Sequence, residues 1–211
     1  MIAEIQRLLS RIYDVDLDSD VRDFLCDREE AMAVVGDEVD RGEVLLVLEE
    51  EEDISVGLYI QKQALESLKN LESAAVCPEG FPAFSLATEG VSHWLYLLFR
   101  AHHEGAVSAL ELELQAEVDK YAAGLLAGNG AGAIRQRSRR LRRRILRGVE
   151  FLDGADTPEG SRYREAHQLA ARYIAWLERE YVDTGRLPEL FAELRRYYRL
   201  SRREKAERAS R

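Results

Sequence analysis

Lysine is nearly missing from this chain, with 4 lysines against 26 arginines, and cysteine is rarer still. The two cysteines, Cys26 and Cys77, stand far apart with no CxxC spacing, which argues against a zinc ribbon or a disulfide-stapled scaffold. Cys77 falls in VCPEGFP, a loop built by two prolines and a glycine, where a quiet small hydrophobe is the expected role. No apolar run approaches the ~20 residues of a membrane span. The start, MIAEIQRLLSRIYDVDLDSD, lacks the basic block, apolar core and small-residue cleavage site of a secretory signal. A cytoplasmic location is the expectation.

Catalytic signatures are also missing. There is no HExxH and no GxSxG, and GNGAG at 128–132 follows a helical pattern and lacks the Gly-Lys-Ser/Thr of a phosphate loop. The alternating aspartates 14, 16, 18 and 20 suggest a calcium loop. Counted from Asp14, however, Ser19 stands where such a loop needs glycine and Leu25 where it needs a bidentate acid.

What is present is an ordinary globular composition: 211 residues, 46% apolar and 33% charged, enough for one domain with a real core. The net charge of −9 is unevenly placed. Residues 1–133 hold 27 acids and 9 bases, a balance of −18, and residues 134–211 hold 12 acids and 21 bases, a balance of +9. Such halves pair with one another or leave the basic half for a partner.

Ile2, Ile5, Leu8, Leu9 and Ile12 recur at helical steps. AMAVV (31–35), EVLLVLE (43–49) and ISVGLYI (54–60) read as strands split by turn segments, the last of these turns the acid run 49–53. From residue 61 the pattern is helical, with helices expected over 85–103, 107–127, 133–152 and 159–182 and from 188 onward. Thr157 and Pro158 mark one helix start. The fold expected is α+β and predominantly helical. Residues 1–60 make an N-terminal helix and a three-stranded antiparallel meander, 61–200 a helical bundle and 201–211 a charged tail, together one globular domain.

On helix 85–103, Leu86, Val91, Trp94, Leu95, Leu97, Leu98 and Phe99 cover more than half the circumference, as on a helix central to its domain. Glu89, His93, Tyr96 and Arg100 share the remaining stripe. Folding 85–103 and 107–127 as a hairpin about residue 104 brings residue i near 208 − i, with Glu117 the acid best placed for His93 and Asp119 pointing away. His167 joins Tyr163, Ala166, Ala170, Ile174 and Leu177 on one face, so it looks inward. Two readings stand. One is a buried ion-pair network of His93 with Glu117, Arg100 with Glu111 and Glu89 with Lys120. The other is a metal or acid–base site of Glu89, His93, Glu117 and His167, with zinc, iron or manganese as the cofactor. The Glu-x-x-x-His spacing occurs once and differs from the Glu-x-x-His pairs of di-iron bundles.

EGVSHWLYL (89–97) and ELELQAEVDKYA (111–122) resemble paired segments of an uncharacterised bacterial protein family. The resemblance implies no activity, ligand or residue role.

IRQRSRRLRRRILRG carries eight arginines between 135 and 147 and no acid. On a helix, Ile134, Ser138, Leu141, Ile145 and Val149 form a narrow stripe, and Arg135, Arg139, Arg140, Arg142, Arg143 and Arg144 cover the rest. Phosphate binding suits such a surface, although aromatics for base stacking are missing. The competing reading pairs these arginines with acids such as those at 49–53. The function expected is a non-enzymatic cytoplasmic binding or regulatory protein, engaging an acidic protein or nucleic acid through 134–147. The alternative is a metal-binding protein or metal-dependent enzyme using the Glu/His seam. Self-association into a homo-oligomer stays open.

Overall fold

The computed structural model describes residues 1–49, 54–68, 74–75, 77–103, 105–127, 134–147, 154 and 156–210. The opening amphipathic pattern forms α1 (Ile2–Tyr13), which buries Ile5, Leu8, Leu9, Ile12 and Tyr13 and ends on Asp14 in the left-handed conformation.

Residues 31–35 are not a strand. They lie in helix α2 (Arg28–Val35). Asp27 accepts from the Glu30 amide while the Glu30 carboxylate accepts from the Asp27 amide, both at 2.9 Å. This capping box satisfies amides that a first turn otherwise leaves orphaned. Gly36 stops the helix at φ 60°, where a side chain would be strained. Only Ala31 of α2 is buried, so no packed sheet face rewards the β-branched residues here.

The expected three-stranded meander is therefore, among the described residues, a two-stranded hairpin. β1 (Glu43–Glu49) runs antiparallel to β2 (Ile54–Ile60), with Glu43 opposite Ile60 and Glu49 opposite Ile54. The acids at 50–53 lie outside the described residues. The hairpin's base packs on the bundle through Leu58 and Ile60, while Val47, Leu48 and Ile54 near its tip stay exposed.

α3 (Lys62–Ser67) leads to the two long helices, α4 (Phe81–His102) and α5 (Ala109–Leu126). Ser108 and Glu111 cap α5 reciprocally. α5 is buried along nearly its whole length and packs on α1, α4, α6 (Ile134–Arg147) and α7 (Pro158–Leu177). It is the centre of the domain together with α4. Thr157 caps α7 by accepting from the Gly160 amide at 3.0 Å, with Pro158 in the first turn. A π-helical turn (Glu178–Val182) prolongs α7, and α8 (Leu187–Arg199) follows.

The expected charged tail is folded over most of its length. Ser201 and Glu204 form another capping box and open α9 (Arg202–Ala209). Lys205 on α9 is wholly buried and donates to the Tyr96 hydroxyl at 2.9 Å and the Gln115 side-chain carbonyl at 2.6 Å. The rings of Tyr96, Tyr197 and Tyr198 surround its ammonium, with centroids 4.1, 5.2 and 5.9 Å away, so cation–π attraction replaces part of the lost hydration.

Asp119 also departs from expectation. It is fully buried and accepts hydrogen bonds from Tyr13, from Ser92 at 2.6 Å and from Gln115 at 2.7 Å. The face it occupies is outward only for an isolated pair of helices. α1 returns across it and supplies Tyr13.

Candidate metal centre

A cleft of about 540 Å³ opens between β1, α4, α5 and the first turns of α7. The helical step places Glu89 and His93 one turn apart on α4, and Glu113, Glu117 and Lys120 at matching steps on α5. Glu43, at the start of β1, and His167, two turns into α7, close the ring.

The expected pairing of His93 with Glu117 is not formed. His93 Nδ1 lies 3.3 Å from Glu43 Oε1, and its Nε2 faces Glu113 Oε2 at 3.9 Å. Glu117 instead accepts from Lys120 Nζ at 2.8 Å and meets His167 Nδ1 at 3.3 Å. The hairpin register sets both Glu113 and Glu117 beside His93, and the contact falls to Glu113 because Glu117 is taken up by Lys120 and His167. The expected pair of Glu89 with Lys120 is present, at 2.9 Å. Arg100 and Glu111 are not a pair, because Arg100 donates to the Ala106 carbonyl at 3.2 Å and Glu111 is spent on capping Ser108.

One cleft is lined by Glu89, His93, Glu117 and His167 together with Glu43, Glu113 and Lys120. Glu43 carries no helical spacing that would announce it.

The charges are strongly coupled. Burial pulls the His93 imidazole down, but the carboxylates of Glu43, Glu113 and Glu89 more than reverse this and lift it to about 9. Burial pushes Glu113 up to about 7 against the opposing pull of His93, with Glu89 and Glu43 adding to the rise. Burial also raises Glu117, yet the Lys120 ammonium and the His167 hydrogen bond hold it down at about 2. Lys120 is penalised by burial and nevertheless raised above its ordinary value by Glu117 and Glu89. The hydrogen bond with Glu117 raises His167 against the smaller effect of its burial. Four carboxylates therefore stand with one ammonium and two imidazoles, and Arg41 also lines the cleft.

One ligand atom each from Glu89, His93 and Glu113 lies within 4.8 Å of the others. Donors in a shell with ~2.1 Å bonds stand roughly 3.4 Å apart, so side-chain rotations of about an ångström close the set. His93 Nε2 is buried with no hydrogen-bond partner, as is Oε2 of Glu43.

No family model, curated protein or solved structure matches this chain.

The arginine helix divides in two. Ser138, Leu141 and Ile145 are buried as its stripe requires, whereas Val149 lies outside the described residues. Among the described residues its ion pairs include Arg142 with Glu178 at 3.0 Å and Arg139 with Asp183 at 3.5 Å, while the expected acidic partners at 50–53 lie outside those residues. Arg137 is buried and donates to the Leu125 carbonyl at 3.0 Å, and Arg144 stands 5.7 Å over the Phe81 ring. Arg135, Arg140 and Arg143 are exposed. No described helix is long and apolar enough to cross a membrane.

Proposed function

We propose that this protein binds a divalent transition metal ion through Glu89, His93 and Glu113. The observation that carries the reading is the state of His93. Its Nδ1 side is engaged by Glu43, so a metal ion that displaces the Nε2 proton meets a ring already held in place. That Nε2 is buried, lacks a hydrogen-bond partner and faces Glu113 Oε2 at 3.9 Å. A carboxylate behind a histidine whose other nitrogen points at acids is the arrangement by which proteins orient a metal-binding imidazole. The alternative, a buried ring nitrogen left unpaired among acids, costs ~1–3 kcal/mol. A mixed nitrogen and oxygen donor set suits zinc, manganese or ferrous iron. The cleft leaves room for water or a small ligand at the remaining coordination positions.

Protein purified without an affinity tag, stripped by chelation and titrated calorimetrically with Zn²⁺, Mn²⁺ and Fe²⁺ should take up at least one of these ions at one equivalent per chain. His93→Ala should abolish that uptake. Natively folded wild type that takes up none of the three, with His93→Ala lowering only the melting temperature, reduces the seam to a structural ion-pair network.

A separate observation supports a second reading, an acidic partner for the arginine helix. Arg135, Arg140 and Arg143 stand exposed on α6 and are not used in the ion pairs with Glu178 and Asp183. A salt-sensitive complex in pull-down or gel-shift assays, lost when these three become alanine, is the expected result. A complex indifferent to them rejects it.

A further inference from the structure

We infer that Lys120 holds the place of a second cation, so that the centre takes one metal ion where its donors are arranged for two. This inference rests on the metal reading above and concerns how many ions the centre admits.

The donors form two sets that share Glu89. The first is Glu89, His93 and Glu113. The second gathers around Lys120 Nζ, with Glu89 Oε2 at 2.9 Å, Glu117 Oε1 at 2.8 Å, and His167 Nδ1 on the far oxygen of Glu117 at 3.3 Å. The first set is two glutamates and a histidine, and in the second two glutamates meet the ammonium while His167 backs Glu117. They come from the same three surroundings: α4 supplies Glu89 and His93, α5 supplies Glu113 and Glu117 one turn apart, and α7 supplies His167. The two sets run as His93 and Glu113, then Glu89, then Glu117 and His167. A carboxylate in the position of Glu89 is the kind of ligand that bridges two ions about 3.5–4 Å apart.

The second position is instead filled by an ammonium. Its side chain is 8% exposed and comes from the same helix as two of the acids. A lysine there supplies one positive charge where an ion would supply two, and it donates to the oxygens that would otherwise ligate. Glu89 and Glu117 are thereby fixed in place, and a second ion is excluded both by charge and by occupied volume. The chain accordingly holds a mononuclear site beside a permanent organic cation. Bridging chemistry, in which one small ligand spans two ions, is closed to it, and the remaining ligand positions belong to a single ion.

Replacing the ammonium by an apolar side chain of similar length tests this. Chelator-stripped wild type and Lys120→Met are titrated with Mn²⁺ by calorimetry and electron paramagnetic resonance. The wild type should bind one equivalent with the spectrum of an isolated ion. Lys120→Met should bind two, with the spectrum of a coupled pair, and Lys120→Met combined with Glu117→Gln should return to one. Two equivalents in the wild type, or one in a natively folded Lys120→Met, overturns the inference and leaves the metal reading intact. A wild type that binds no Mn²⁺, Zn²⁺ or Fe²⁺ overturns the metal reading and this inference with it. If Lys120→Met is unfolded after stripping, Mn²⁺ should refold it at two equivalents per chain, and failure to do so counts against the proposal as firmly as a single equivalent.

Discussion

Truncating Asp119 tests whether the buried seam joins the N-terminal helix to the centre of the bundle. In Asp119→Ala three donors lose their acceptor at once: the Tyr13 hydroxyl from α1, Ser92 Oγ from α4 and Gln115 Nε2 from α5 itself. A buried donor left unsatisfied costs ~1–3 kcal/mol. Three of them, with partial rearrangement, place the loss on the order of 3–6 kcal/mol, a large share of the ~5–15 kcal/mol that holds a domain together. For a chain of this size ~2–4 °C accompanies each kcal/mol, so the melting temperature should fall by roughly 6–24 °C. Asp119→Asn keeps the shape and one acceptor and should cost distinctly less. The sign of the pH dependence is also set. Burial is the largest influence on Asp119 and lifts it from 3.8 to about 6, so between those values the folded chain binds more protons than the unfolded one. Its advantage over the Asn variant is then full below about 4 and shrinks as pH rises through 6. Urea unfolding followed by circular dichroism measures both effects. A cost below about 1 kcal/mol for Asp119→Ala, where stranded donors are expected to be expensive, refutes this account of the seam.

Three further outcomes are expected. Glu43→Gln should keep the metal stoichiometry of the wild type but weaken affinity by about 10–100-fold, because the group that orients His93 loses its charge; calorimetry reads the difference. A Cβ on Gly124 would stand 2.7 Å from Leu141 Cδ2 at the α5–α6 contact. Gly124→Ala should therefore lose ~1–3 kcal/mol to overpacking against a gain of about 1 kcal/mol in helix propensity, and Leu141→Ala in the same chain should cancel part of the loss in a double-mutant cycle. Burial lowers Lys205 to about 7, so the unfolded chain binds the extra proton between pH 7 and 10.5. Wild type should gain stability over Lys205→Met as pH rises through that window, at up to about 1.4 kcal/mol per pH unit, and a difference independent of pH contradicts this lowering of Lys205 by burial.

Local rules account for most of what could be read along the chain. Thr157 and Pro158 announced α7, and the apolar steps of 85–103 and 107–127 announced the central pair, because capping and a 3.6-residue period act within one or two turns. The errors are instructive for the same reason. Asp27 with Glu30, and Ser201 with Glu204, are capping boxes visible in the sequence, and they outweighed the β-branched run at 31–35 and the charged composition of the tail. The inward face of His167 and the pairing of Glu89 with Lys120 followed from periodicity and an approximate hairpin register.

The rest was settled in three dimensions. Whether His93 meets Glu113 or Glu117 depends on which of the two Lys120 and His167 claim, and α7, which brings His167, is far away in the sequence. Glu43 reaches the cleft because the hairpin docks by its base. Asp119 and Lys205 are buried because α1 and α9, from opposite ends of the chain, return to cover α4 and α5. Amphipathic spacing and capping are properties of neighbouring residues and survive in the linear order. The partners of a buried charge are chosen by which segments close over it, and that choice belongs to the assembled core.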